Sequence, residues 1–534
     1  MTKLRAMVMG MVLAGIATGT WAGRYESFIQ KMKTSAGPKV ATVSATFFGT
    51  PSEEAVLDGG FQNDGTVVVV GVAMGPQAPG GPRALVWGTD RPANRAAPQP
   101  GRGGRVGFDQ LISIRDNSAG FVVRFSPDLQ RIVSASRFAF GTASINTCVV
   151  ADDGRVYVAG RCDGQALRQA SGTAPVVVSA GPGGRAGTGY ADAYVACVAP
   201  AGDRVEWVHS LKDSTGEDGG LWLTARGLYA QMGNLRRFSL DGTTMVDTGI
   251  SGARGTVGVS VDPKTGRILR GGDRNTSTGR EPYRNPFLHI HDETGKRLET
   301  LWNWDSKLIG TDKYRLVSDS SARMNTFAPN GDIVVAGWSD GGNTVFGRQP
   351  KALDEAHGAF RRGLGIDSAG MGVGSMCSIM QIDPKTYQVK AGTQWISFVP
   401  DDKETFGKQA GKPNNAGAKA LTFLDDGSLV MIGTAATGLI ETPDSWYKYP
   451  GKGRYGGWFL TIFTPEYNNL RFSSYLPGVE RAKAVAKGQR VLLVSAAKVN
   501  DGHTPPSAMP AIGAIQKTHA GGTFDGHIVV MDGR

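Results

Sequence analysis

Two groups of residues in this chain have types and spacing that do chemistry, and the chemistry is recognition of anions and sugars. Arg83, Arg91, Arg95, Arg102 and Arg105 stand against Asp90 alone in a Pro/Gly-rich stretch, an arrangement that attracts an anionic partner. Trp446, Tyr447, Lys448 and Tyr449 run on into Arg454, Tyr455 and Trp458. Rings of this kind cover the apolar faces of sugars, and neighbouring cations meet carboxylate or sulfate groups. These residues are the ligand-binding candidates. The competing expectations are a solvated arginine loop and rings that pack their own loop onto the protein body.

Other chemistry is thinner. His289 and His291 alternate on an expected strand and share a face, as metal ligands do, but no third ligand stands in register, so no metal site is assigned. Glu53-Glu54, Glu217-Asp218 and Asp319 recur near repeat starts, where carboxylates hold calcium or act as acid and base; turn and hydrogen-bonding roles explain them as well. No nucleophile elbow, zinc-protease helix, phosphate loop or calcium loop occurs in its required context. The catalytic residues are therefore unknown and no cofactor is expected.

The elements that must position these residues follow a repeat. In one copy Ala143–Ala151 leads into Asp152-Asp153-Gly154, then Arg155–Gly160, a glycine-rich stretch, Asp192–Pro200, Ala201-Gly202-Asp203 and Arg204–Ser210. Four short β-type runs emerge, with tight turns after the first and third. Asn63-Asp64-Gly65, Pro329-Asn330-Gly331 and Asp425-Asp426-Gly427 open similar copies, Lys264-Thr265-Gly266 and Lys487-Gly488-Gln489 open degenerate ones, and Leu221–Gly233 is a short one without its insertion. Seven cores result. Runs such as Val67 to Val70 are apolar at every position, so both faces of the strand need cover, and stacked neighbouring units supply it.

In these residues the chain resembles the bacterial β-propeller repeat family, whose units join an Asp-Gly turn, a hydrophobic strand ending in Gly and a later Asp-Ala-Phe/Tyr-Val run. Residues 152–200 match best. The resemblance implies an all-β, seven-bladed β-propeller of four-stranded antiparallel blades and implies no activity. The last repeat lacks an outer strand, whereas Lys39–Gly49 has strand character and no blade of its own. The N-terminal strand is therefore expected to complete the C-terminal blade and close the ring.

Antiparallel blades sort their loops. The Asp-Gly turns fall on one face, and insertions near 74–119, 163–190, 273–286, 341–374, 435–456 and 496–525 gather on the other, as a binding surface would. Lys3, Arg5, the apolar run to Ala17 and Thr20-Trp21-Ala22 read as a signal peptide over 1–22, followed by a linker over 23–37 and one propeller domain over 38–534. No later stretch is apolar enough for a membrane span. Export permits a disulfide among Cys148, Cys162 and Cys197, but spacing does not choose between a pair and buried thiols. The net charge of +11, which falls by two on signal cleavage, suits acidic extracellular partners and not nucleic acid, for which no motif is present. The expected function is an exported, non-catalytic propeller binding an anionic polysaccharide or a partner protein through its loop-bearing face. A lyase or glycoside hydrolase and a structural envelope component are the alternatives, and the sequence sets no oligomeric state.

Overall fold

The computed structural model describes residues 39–49, 54–74, 85–87, 118–138, 143–162, 176–179, 192–211, 219–252, 257–275, 283–303, 318–341, 344–366, 373–447, 457–498, 509–520 and 524–533. Seven antiparallel sheets form the blades of a propeller, each with four core strands, A innermost to D outermost. The A strands are Glu54–Phe61, Ala143–Val150, Leu221–Thr224, Val257–Val261, Ser320–Phe327, Ala416–Phe423 and Val479–Lys487, in blades 1 to 7.

The continuous apolar runs behave as two-sided strands must. In blade 1, Val68 and Val70 pack with Ile145 and Val158 of blade 2, while Val67 and Val69 pack with Leu492 and Val494 of blade 7. All four valines are fully buried. Each such side chain contributes about 1.5–3 kcal/mol relative to exposure, and only a neighbour on either side can supply that burial.

The repeated turn is one structure used four times. Gly65, Gly154, Gly331 and Gly427 sit at φ between +86° and +88°, a region that suits glycine. In each turn the preceding Asp or Asn accepts a hydrogen bond from the residue after the glycine: Asp64 from Thr66 N (2.9 Å), Asp153 from Arg155 N (3.0 Å), Asn330 from Asp332 N (3.1 Å) and Asp426 from Ser428 N (2.8 Å). These side-chain acceptors lock the turn and explain why Asp and Asn recur there.

The glycine inside strand B has a different cause. In blades 1, 2 and 6 strand A carries a bulge, and a carbonyl next to it lies where a Cβ on Gly71, Gly160 or Gly433 would be. The bulge also re-aims strand A residues toward the central channel.

Closure takes the expected form. Ala41–Phe48 pairs antiparallel with Phe524–Asp532, from Ala41 opposite Asp532 to Phe48 opposite Gly526. Residues 512–516 then cover its open edge: Ala45 and Ile512 exchange backbone hydrogen bonds (2.9 and 3.0 Å), and Phe47 N donates to Gln516 O (3.0 Å).

Two features differ from the sequence-based picture. Leu85–Trp87 and Val176–Ser179, expected within loops, add a fifth, parallel strand outside blades 1 and 2. The segments after strand B and strand D of blade 5 fold into short helices, Ala359–Arg362 and Lys403–Phe406, and two small hairpins. Phe346 in the first of these packs its ring over Gly337, so this insertion is seated on the blade. Cys148, Cys162, Cys197 and Cys377 are all buried free thiols. Among the described residues no helix is long and apolar enough to cross a membrane.

Candidate functional site

The seven A strands run in the same sense and line a central channel of 1410 Å³. At the end where the Asp-Gly turns lie, polar contacts tie blades 7, 1 and 2 together. Lys487 Nζ donates to Asn63 Oδ1 (2.7 Å) and Asp152 Oδ1 (3.2 Å), and Gln62 Nε2 donates to Gly154 O (3.0 Å). Midway, Asp58 is fully buried and joins three blades. Its carboxylate pairs with Lys483 of blade 7 and accepts from Thr147 Oγ1 (2.7 Å) and Cys148 N (2.9 Å) of blade 2.

The loop-bearing end is different in composition. Trp222, Trp338 and Trp458 of blades 3, 5 and 6 line it, each partly exposed. Arg284, Arg323, Lys419 and Arg481 line it too, from blades 4, 5, 6 and 7. Arg323 and Lys419 hold the same place: each is the fourth residue of its A strand and sits at the bulge. Against these cations stand Asp273 and Glu480, and Glu480 accepts from Lys498 Nζ (2.7 Å). Among the described lining residues at this end cations outnumber carboxylates, a balance that favours an incoming anion. Three indole surfaces thus stand beside cations at this end.

Among the residues singled out in the sequence, Trp446 and Tyr447 are described. Trp446 does not line the channel. Its ring lies 4.9 Å from Phe472 of blade 6, and its indole N–H donates to Thr42 Oγ1 of the closing strand (3.1 Å). Its backbone N–H donates to Ser474 Oγ (2.9 Å). Tyr447 packs partly buried against the blade 5–6 core. Lys448, Tyr449, Arg454, Tyr455, Arg83, Arg91, Arg95, Arg102 and Arg105 lie outside the described residues, as do the signal peptide and linker segments.

Of the carboxylates near repeat starts, Glu54 and Asp319 are described. Asp319 Oδ1 accepts from Tyr283 N (2.7 Å) and Arg284 N (3.0 Å), and Glu54 is fully buried. Glu53, Glu217 and Asp218 lie outside the described residues. His289 and His291 do share a face, with ring centroids 6.1 Å apart, but their neighbours are Arg270, Arg274 and Arg297. Burial, and after it those cations, hold the His289 imidazole down at about 4. Among the described residues no cluster of three potential metal ligands occurs.

Sequence reasoning missed Trp222, Trp338, Arg323, Lys419 and Arg481. A signal for two of them was present, since a basic residue interrupts the small and apolar A strands of blades 5 and 6 at the same position.

Fold and site together define a seven-bladed β-propeller with a cationic, tryptophan-walled channel mouth. No protein-family model and no curated protein matches the chain. Solved structures that resemble it include a Dyadobacter fermentans protein of unknown function, with 12% identity, 93% of this chain and 100% of that chain covered, and a TM-score of 0.38. Raptor from Chaetomium thermophilum is another, with 10% identity, 92% and 29% coverage and a TM-score of 0.39. A chain from a study of two prolyl endopeptidases is a third, with 10% identity, 88% and 48% coverage and a TM-score of 0.37. Likenesses of this degree carry no argument about function.

Proposed function

We propose that the protein is an exported member of the bacterial β-propeller repeat family that binds an anionic polysaccharide at the loop-bearing end of its channel. The observation that carries this reading is that Trp222, Trp338 and Trp458 line the same cavity as Arg284, Arg323, Lys419 and Arg481. Rings supply stacking surfaces for pyranose faces, and the cations select uronate or sulfate esters over neutral sugars. Glu480 is ion-paired, so the mouth's charge is directed at a ligand more than at acid–base work. The basic loop bearing Arg83 to Arg105 and the rings and cations from Trp446 to Tyr455 extend the binding surface in this reading.

The test compares a polyuronate, dextran sulfate and neutral dextran on the purified chain, with product analysis alongside. Trp338→Ala removes an aromatic anchor worth ~2 kcal/mol, so binding of the anionic polymers should weaken about 30-fold. Lys419→Gln, an exposed change, should weaken it several-fold and flatten its salt dependence. Equal affinity for neutral dextran, or indifference to both substitutions, would overturn the proposal. Release of oligosaccharides would replace binding with catalysis.

A further inference from the structure

The seam between blades 3 and 4 differs from the other six. Among the described residues, no strand of blade 3 packs along a strand of blade 4 as closely as strands do across every other seam. Its apolar part is small, built from Tyr229, Leu235, Ile250, Val259, Val261 and Ile268. The rest of the blade 4 surface facing this seam is basic.

Strand alternation produces that surface. In Ile268–Asn275, Ile268 faces blade 3, so Arg270 and Arg274 do too, while Leu269 packs toward blade 5. The adjoining strand sets His289 opposite Arg270 and Asn285 opposite Arg274, and the outer strand sets Arg297 opposite His291. The Arg270 and Arg274 guanidinium carbons each lie 5.4 Å from the Phe287 ring centroid, and that ring lies 4.6 Å from His289. Phe287 thus holds two guanidinium groups side by side.

Among the described residues, nothing anionic on the neighbouring elements answers this charge. Asp292 accepts from Thr294 N (2.9 Å) and Lys296 N (3.0 Å) of its own turn, Glu293 pairs with Arg226, and Asp247 lies 3.7 Å from Arg236. Arg270 donates its Nε–H to Ser251 O (2.9 Å), and among the described residues no carboxylate lies within ion-pair distance of Arg270, Arg274 or Arg297. Two polar side chains of the same surface are buried beyond nine-tenths and incompletely partnered. His291 donates from Nδ1 to Gly295 O (2.9 Å) and leaves Nε2 without a partner, and Asn285 leaves Oδ1 without one. Both orphan atoms are acceptors, so water or the O–H of hydrogen phosphate satisfies them, and the guanidinium groups are what hold the anion's own oxygens.

We propose that the seam between blades 3 and 4 binds a tetrahedral oxyanion, phosphate or sulfate, free or carried as an ester on a polymer, through Arg270, Arg274 and Arg297 with His289 beside it. Planar guanidinium forks present paired N–H donors at the spacing of two oxyanion oxygens, and a doubly charged tetrahedral group satisfies several forks at once. Chloride has neither the charge nor the shape. The site is separate from the channel mouth and does not depend on the reading given above.

The test uses the full chain, with inorganic phosphate, inorganic sulfate and dextran sulfate titrated at constant ionic strength and the His289 and His291 imidazole resonances as reporters. Saturable shifts are expected. Arg274 and Arg297 are exposed, so Arg274→Gln and Arg297→Gln should leave the melting temperature unchanged while each weakens binding about tenfold. The double variant should abolish the shifts, and Lys419→Gln at the channel should leave them intact. Dextran sulfate binding far tighter than either inorganic ion would identify a polymer-borne ester, and equal binding would identify the free ion. Absence of saturable shifts in the wild type, or their persistence in the double variant, would overturn the proposal.

Discussion

Replacing Asp58 by Asn should weaken the joint between blades 7, 1 and 2, and the structure allows the size to be worked out. The carboxylate is fully buried, pairs with Lys483 and accepts from Thr147 Oγ1, Cys148 N and, through Oδ1, Gly59 N (2.8 Å). An amide of the same shape turns an NH2 group toward at least one of these donors and leaves a lysine without its counter-ion. Breaking a buried pair from one side costs about 3–5 kcal/mol. The Lys483 side chain is 34% exposed, so water screens the stranded ammonium and the lower end, ~3 kcal/mol, applies. In a chain of 534 residues, an unfolding entropy near 2 cal/mol/K per residue turns that into only ~3 °C of melting temperature. Urea titration is therefore the better assay. A double-mutant cycle with Lys483→Met should return a coupling of ~1–2 kcal/mol, reduced by the same exposure. A coupling within ~0.3 kcal/mol of zero, or wild-type stability for Asp58→Asn, would refute the view that this carboxylate staples the ring.

Further outcomes follow from the same contacts. Deleting residues 38–49 should lower the urea midpoint sharply and expose the edge of Phe524–Asp532 to self-association, seen as aggregation in light scattering. Trp446→Ala should lose ~2 kcal/mol through its contacts with Phe472 and Thr42, visible in unfolding with no ligand present. Gly71→Ala should cost more than ~2 kcal/mol, because its Cβ meets the Ala55 carbonyl and strand A must move. His527 is fully buried with its pKa pushed down to about 4, whereas the unfolded imidazole titrates near 6.5. The folded state binds fewer protons between these values, so stability is whole above pH ~6.5 and falls toward pH ~4, by up to ~3 kcal/mol. His527→Gln, which keeps a donor for Pro510 O, should shrink the loss measured between pH 7.5 and pH 5.

Architecture was legible in the sequence because it repeats. Each Asp-Gly turn specifies its own φ and side-chain acceptor locally, and runs such as Val67–Val70 announce two buried faces without knowledge of their partners. The closing strand was legible for the complementary reason: Lys39–Gly49 is a strand with no local mate. The candidate site at the channel mouth was not legible, because its residues come from different blades and meet only when the ring closes. Trp222, Trp338, Lys419 and Arg481 are far apart in the chain, and each alone looks like an ordinary strand residue. The seat of Trp446 was not legible either: its ring rests on Phe472 and its indole N–H on Thr42, the latter some four hundred residues away in the chain. The arginine surface of blade 4 was half legible, since strand alternation paired His289 with His291 but the cross-strand arginines needed the register.

Hydrogen exchange on the full chain, with and without a bound polyuronate, tests the channel-mouth assignment most directly. The account predicts protection at residues 219–222, 320–324, 416–420 and 479–483, the loop-bearing ends of the inner strands that carry or flank the mouth residues. Protection confined to the Asp-Gly turns or to the outer strands, with these inner segments unchanged, would contradict it.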